Sequence, residues 1–140
     1  MQIHGSCASK AGAGVLLVGP PGSGKSDLVL RLRGHGFELV ADDRVDVSLG
    51  VARPPPALAG LLEVRGLGIF RLPYATEARI ALVVDLAPAM PRLPVPERYA
   101  GLDLPLVRID ASAASAPERV AMALDCALGL VNQVVGAFVA

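Results

Sequence analysis

Two groups of residues in this sequence could do chemistry together: an anion cradle, and a set of carboxylates within reach of it. Gly19-Pro20-Pro21-Gly22-Ser23-Gly24-Lys25-Ser26 meets every fixed position of the phosphate-binding pattern G-x-x-x-x-G-K-[ST]. Its glycines allow a tight turn and close approach of the backbone to a polyphosphate. Successive N–H groups then face inward as an anion-binding concavity. Lys25 can place a point charge on the outer phosphates, and Ser26 can offer a hydroxyl to Mg²⁺. Pro20 and Pro21 stiffen the first half of the cradle and remove two N–H donors from it.

The carboxylates follow the cradle in the chain. Asp42 and Asp43 are adjacent at the end of an apolar run, Phe37-Glu38-Leu39-Val40-Ala41. In a continuing strand they point to opposite faces, so only one faces the site unless the backbone turns there. One of them could accept a hydroxyl proton while the other orients it or a metal-bound water; a solvated turn with a helix-capping acid fits the same residues. Asp85 closes a second apolar run and, on spacing alone, is the expected water-mediated Mg²⁺ partner, with Asp42 competing for that role. Glu63 stands in Glu63-Val64-Arg65-Gly66-Leu67-Gly68-Ile69, where glycines and a charge pair interrupt an apolar stretch. This reads as a loop in which Glu63 can reach a cation. His4 is the remaining titratable candidate.

These residues need a scaffold, and the apolar patterning supplies one. Gly14 to Val18 reads as a buried strand leading into the cradle, and Leu28, Val29, Leu30 and Leu32 as a helix that adds its N-terminal dipole. Ala11 to Gly14 can turn the chain, so residues 3–8 are expected to pair with residues 14–18, with His4 on a strand beside the one that carries the loop. Gly34 and Gly36 stop the helix. Val45 to Val51 alternates as a strand, Pro54-Pro55-Pro56 breaks it, and Leu58 to Leu62 is a turn of helix or a strand start. Arg79 to Asp85 is a buried strand. Residues 87–101 read as a loop and Leu104 to Ile109 as a strand. Ser115, Pro117 and Glu118 suggest a capping box opening a helix that runs to the end.

A length of 140 residues sets one domain, and at 53% apolar with only 4% aromatic its core must be Ala, Leu and Val. A formal net charge of +0 leaves no field that would steer the chain to nucleic acid. Cys7 and Cys126 lack metal-ligand spacing and read as free thiols in a reducing compartment. With no signal segment at the N-terminus, a cytoplasmic location is expected. Val120 to Ala140 is apolar and long enough to span a membrane, but it contains Asp125, Asn132 and Gln133 and has no basic flank. It is expected to be a buried or subunit-contact helix, with no membrane partner.

Four stretches together resemble the catalytic domain of the HPr kinase/phosphorylase family: Ile3-His4-Gly5, Gly19 to Ser26, Leu39-Val40-Ala41-Asp42-Asp43, and Glu63 to Ile69. The last is close to that family's own signature. The resemblance runs from about residue 3 to about residue 100 and implies an α/β P-loop domain with a mixed sheet, similar to that of phosphoenolpyruvate carboxykinase. It implies ATP and Mg²⁺ as cofactors, and as partner HPr, the small carrier protein of the sugar phosphotransferase system, phosphorylated on a serine. Many members also run the reverse reaction with inorganic phosphate, and members assemble into hexamers. The resemblance puts His4 near the transferred phosphate, Lys25 on the nucleotide, and Ser26 and Glu63 on magnesium, displacing Asp85. Asp42 and Asp43 become the paired aspartates of the family, with Asp43 favoured as the base. Arg98, in Glu97-Arg98-Tyr99-Ala100-Gly101, matches the family's Asp-Arg-Leu-Gly arginine, which assists phosphoryl transfer.

The sequence also departs from the family. The usual N-terminal domain has no counterpart, so residues 1–140 are expected to be the catalytic half alone. Asp27 follows the loop serine where the family has Glu. Arg108 to Ala116 lacks the Gly-Arg-Asn stretch linked to dephosphorylation, which puts phosphorylase activity in question. A small-metabolite kinase and a nucleotide-binding regulatory module are the competing readings.

Overall fold

The computed structural model describes residues 1–140. The chain runs β1 (Gln2–His4), β2 (Ser6–Lys10), β3 (Ala13–Val18), α1 (Lys25–Arg33), β4 (Glu38–Ala41), β5 (Arg44–Ser48) and β6 (Val51–Arg53). After a 3₁₀ turn at Pro56–Leu58 come β7 (Leu61–Val64), β8 (Gly68–Arg71), β9 (Ala78–Leu86), β10 (Glu97–Tyr99), β11 (Leu104–Ile109) and α2 (Ala116–Ala127). A nine-stranded mixed sheet has the order β1-β5-β6-β9-β3-β2-β4, with β11 also on β9 and β10 outside β11; β7 and β8 form a separate hairpin. The expected α/β class with a mixed sheet is what the chain adopts.

The apolar runs explain the centre of this sheet. β3 and β9 lie parallel, with Leu16 facing Val83 and Leu17 facing Val84. Alternation sends successive side chains to opposite faces. Val15, Leu17, Leu82 and Val84 join the cluster under both helices, with Leu28, Leu32, Val120 and Leu124. Cys7, Leu16, Val40, Ile80 and Val83 form the second cluster, closed by Val45, Val47 and Ala52 of the β5–β6 arm. Cys7 is fully buried there, and that burial pushes its thiol up to about 12. Arg31 ties α1 to the segment after β11, donating to the carbonyls of Ala111 at 2.6 Å and Ala113 at 2.8 Å.

Several elements differ from the sequence-based expectation, each for a visible reason. Residues 3–8 are two strands, not one. β2 pairs with β3 as expected, but β1 pairs with β5, so His4 faces Arg44 across the sheet and does not neighbour β3. The break is at Gly5, where a Cβ would lie 2.6 Å from the carbonyl oxygen of Leu17. Val45 to Val51 is likewise a hairpin. Ser48 pairs with Val51, and Leu49 and Gly50 turn the chain at φ 52° and 76°, the geometry of a two-residue type I′ loop. Glu63 to Ile69 is the tip of the β7–β8 hairpin, and Glu97–Tyr99 is a short strand on β11 rather than loop.

The C-terminal expectations fail as well. α2 ends at Ala127, two residues before Gly129 at φ 76°, and residues 128–140 form no regular element. No helix is long and apolar enough to cross a membrane. The capping box does not form. Ser115 makes no side-chain cap; its Oγ accepts from Arg119 Nε at 2.8 Å, and Glu118 is drawn away to His35 at 2.7 Å.

Candidate functional site

β3 delivers the chain at Val18 to the end of the sheet, and α1 begins at Lys25, so the segment Gly19–Gly24 must reverse direction in six residues or fewer. Two glycines make this feasible. Gly19 sits at φ 153°, and a Cβ there would lie 2.7 Å from Ser23 Oγ. Gly24 sits at φ 97°, against the Cβ of Ala111 at 3.2 Å. Ser23 N–H donates to Pro20 O at 3.1 Å and closes the turn. Lys25 folds back over the loop, its Nζ donating to Gly19 O at 2.9 Å and Pro20 O at 3.0 Å. Its ammonium is thereby fixed at the mouth of the loop, in position to be shared with a bound anion.

The paired aspartates separate because the backbone turns between them. Asp43 has φ 68°, a left-handed conformation that Asp tolerates better than most residues. Asp42 turns inward and is 7% exposed. Its Oδ1 accepts from Ser6 Oγ at 2.7 Å and from Ser26 Oγ at 2.7 Å, and its Oδ2 lies 2.9 Å from the same Ser26 hydroxyl. The Glu63 amide approaches Oδ2 at 3.5 Å. Asp43 turns outward with its side chain 64% exposed. Its Oδ1 is 3.1 Å from His4 Nε2 and its Oδ2 is 3.8 Å from Arg44 Nε.

One cleft of about 540 Å³ is walled by His4, Ser6, Gly22, Gly24, Lys25, Ser26, Asp43, Glu63 and Arg65 among others, and Asp42 stands behind that wall, bonded to Ser6 and Ser26. Only two of its 13 lining residues are hydrophobic, which suits a hydrated polyanion and not an apolar ligand. The β7–β8 hairpin forms one side. Leu62 is fully buried in the helix-side core, with Val64 packed against it, and this anchors Glu63 and Arg65 at the cleft. No three His, Cys, Asp or Glu side chains converge as a metal cage. The oxygen donors on the cleft wall are the hydroxyls of Ser6 and Ser26 and the carboxylates of Asp27, Asp43 and Glu63. Hard oxygen donors in small number fit Mg²⁺, which keeps several waters and takes the rest of its shell from phosphates.

The structure thus brings Gly19 to Ser26, His4, Asp42, Asp43 and Glu63 to one place. It leaves two sequence candidates outside. Asp85 lies on β9 beside Arg108, 3.8 Å from its Nε, and does not line the cleft. Arg98 is turned to Asp103, 2.7 Å from its Oδ1, and does not line it either. Two residues that do line it were not singled out from sequence. Ser6 is hidden in an apolar strand pattern, and its signal was its place two residues after His4. Arg65 follows Glu63 by two residues, at the turn of the hairpin.

A family model described as "HPr Serine kinase C-terminal domain" matches residues 1–91. An HPr kinase/phosphorylase of Cupriavidus necator is 39% identical, over 81% of this chain and 41% of its own length. One of Clostridium acetobutylicum is 43% identical, over 61% of this chain and 32% of its own length. The chain thus spans about two fifths, or less, of the curated relatives it matches. A solved structure of the Hpr(Ser) kinase/phosphatase from Coxiella burnetii superimposes with a TM-score of 0.78, covering 93% of this chain and 92% of that one. At 22% identity that likeness speaks for the fold alone. With the model matching well over half of its residues, this chain belongs to the HPr serine kinase C-terminal domain family.

Proposed function

We propose that the chain carries the catalytic site of an ATP- and Mg²⁺-dependent protein-serine kinase whose acceptor is HPr, the phosphocarrier of the sugar phosphotransferase system. The observation that carries this reading is the single polar cleft. It holds an anion loop with its lysine, a metal-type hydroxyl and carboxylate, and an exposed aspartate with a histidine beside it. The names of the relatives supply the acceptor.

In this reading the loop amides and Lys25 hold the β- and γ-phosphates of ATP. Ser26 and Glu63 are the residues that would hold Mg²⁺, which when bound screens the charge of the phosphates. Asp42 accepts the Ser26 proton and leaves that oxygen's lone pairs for the cation. Asp43 is the base. It takes the proton of the acceptor serine as the serine oxygen bonds to the γ-phosphorus and the bond from that phosphorus to the β–γ bridging oxygen breaks, leaving ADP. His4 steadies the Asp43 carboxylate and adds positive charge when protonated. The guanidinium at the cleft is Arg65, so we assign charge neutralisation on the moving phosphoryl group to it. Arg98 would first have to leave Asp103. Such chemistry is mostly positioning and electrostatics.

A cytoplasmic location and assembly into a homo-oligomer belong to the same proposal. The free thiols Cys7 and Cys126 support the location. The apolar surface at Leu130 and Val134, 71% and 90% exposed, is available to an oligomer contact. The test is γ-labelled ATP with Mg²⁺, in the presence and absence of HPr. Label on an HPr serine supports the kinase. Label released as phosphate or on a small metabolite, or nucleotide binding without turnover, refutes it.

A further inference from the structure

Ser6 has a hydroxyl that none of the roles above uses. It opens β2 immediately after the Gly5 break and is 1% exposed. Its Oγ donates to Asp42 Oδ1 at 2.7 Å. The same oxygen also accepts from Ser26 Oγ at 2.7 Å. An ionised carboxylate only accepts hydrogen bonds, and a serine hydroxyl has one proton to give. Ser26 gives its proton to Asp42, so its lone pairs are turned away from that acid, and Ser26 lines the cleft. The direction of those lone pairs is therefore set by where the Asp42 carboxylate stands.

Ser6 holds that carboxylate. Apart from Ser26 itself, the other donor near it is the Glu63 amide, at 3.5 Å from Oδ2, at the outer limit of a useful hydrogen bond. Without the Ser6 hydroxyl only the Ser26 hydroxyl itself and the long Glu63 contact would fix the carboxylate's terminal torsion, which is broad for Asp, and any rotation would carry the Ser26 hydrogen bond with it.

We infer that Ser6 is a positioning residue for divalent-cation binding: it pins Asp42 so that Asp42 orients the Ser26 oxygen toward the cation. The inference rests on the placement of Mg²⁺ at Ser26 given above. Outer-shell partners of this kind typically change metal affinity by about 10- to 100-fold when removed.

The experiment titrates Mg²⁺ into the full chain with a fluorescent ATP analogue, with parallel measurements in EDTA and of Mn²⁺ binding by electron paramagnetic resonance. The variants are Ser6→Ala, Ser6→Thr and Ser6→Val. The last two share a shape and differ in the hydroxyl. Melting temperatures without metal identify the folded variants. Ser6→Ala and Ser6→Val are expected to raise the half-saturating Mg²⁺ and Mn²⁺ concentrations by about 10-fold or more. Nucleotide affinity in EDTA should move far less, and Ser6→Thr should stay near wild type. A purely structural role predicts that affinity with and without metal falls together. If Ser6→Val, folded, keeps the wild-type Mg²⁺ requirement, or Ser6→Thr loses as much as Ser6→Val, the inference is overturned. Wild-type protein with no metal-dependent nucleotide binding overturns the kinase reading and this inference together. Wild-type binding with unchanged variants overturns this inference alone.

Discussion

Replacing each of the two adjacent acids by its amide should give two different failures. Asp43 is 64% exposed at its side chain, with His4 at 3.1 Å and Arg44 at 3.8 Å as neighbours. Exposed pairs of this sort contribute about 0–1 kcal/mol to stability, so Asp43→Asn should melt within a few degrees of wild type. Its loss is chemical: a positioned general base contributes about 10²–10⁴-fold to rate, and kcat should fall by that much with nucleotide binding and Mg²⁺ requirement retained. Asp42 is 7% exposed and accepts hydrogen bonds from both Ser6 and Ser26. Hydrogen bonds to a charged group are each worth about 1.5–3 kcal/mol. Asparagine can keep the Oδ1 acceptor for both hydroxyls, but it makes those hydrogen bonds neutral and sets an N–H₂ donor in place of Oδ2, against the Glu63 N–H and the Ser26 oxygen. A net loss of about 2 kcal/mol corresponds to roughly 6 °C in Tm for a domain of this size. Asp42→Asn should therefore melt lower and need more Mg²⁺. The assays are calorimetric melting, fluorescent-nucleotide binding across a Mg²⁺ series, and single-turnover transfer from γ-labelled ATP to HPr. Asp43→Asn with kcat within a few-fold of wild type would remove Asp43 from the role of base. Asp43→Asn melting as low as Asp42→Asn would show that the burial argument misassigned the two acids.

The remaining predictions concern residues on and off the cleft. Arg65→Ala should lower kcat by at least about 10-fold through loss of a charge that faces the transferring group, while Arg98→Ala should leave it within about twofold; the reverse order in transfer assays would restore Arg98 to the site. His35 joins the end of α1 to α2 through Glu118 at 2.7 Å. Its hydrogen bond to the Arg31 carbonyl, and then the Glu118 carboxylate, hold the imidazolium above its ordinary range. The Glu118 backbone amide, and then His35, hold Glu118 below its own. Stability from His35 is full below its unfolded value of 6.5 and is lost as pH rises through the raised folded value. That from Glu118 is full above 4.5 and is lost as pH falls through the lowered one. The clamp is thus complete between those two unfolded values, and His35→Gln should flatten the fall of Tm on the alkaline side; an unchanged profile would refute this. Under native conditions a thiol reagent should label Cys126 and spare Cys7, whose thiol burial pushes up to about 12, until the protein is unfolded; equal labelling rates would refute the buried position of β2.

The loop, the helix after it and the parallel pair of strands were legible because their determinants are contiguous. Gly19 to Ser26 is one run, and β3 and residues 80–84 at the centre of β9 are apolar runs with buried residues on both faces. The hairpins were harder. The turn after β5 rests on Leu49, a residue without turn character, held at φ 52° by the pairing of Ser48 with Val51 on either side of it; local propensity points the other way and the sheet overrides it. Apolar content alone does not carry the final helix to residue 140, because Gly129 at φ 76° stands just beyond its end. Arg98 resembles a site residue by pattern, but its guanidinium is paired with Asp103, five residues away, a contact that the pattern does not encode.

The different surroundings of Asp42 and Asp43 are the part least accessible to a linear reading, since they are set by contacts across the sheet. The Gly5 N–H donates to the carbonyl of Asp43 at 3.1 Å, at the point where β1 leaves β5 and β2 joins β3. A side chain at Gly5 would strike the Leu17 carbonyl oxygen at 2.6 Å, so only glycine lets the chain cross there. This crossing places residues 4 and 6 on two different strand pairings, and each meets a different acid: His4 reaches Asp43 and Ser6 reaches Asp42. Without the crossing, His4 and Ser6 would lie on the same face of one strand and would compete for one carboxylate. The break at Gly5 and the left-handed turn at Asp43 are therefore a matched pair. Together they let two adjacent aspartates be held by two nearly adjacent residues, one acid buried beside the Ser26 hydroxyl and the other left open at the cleft.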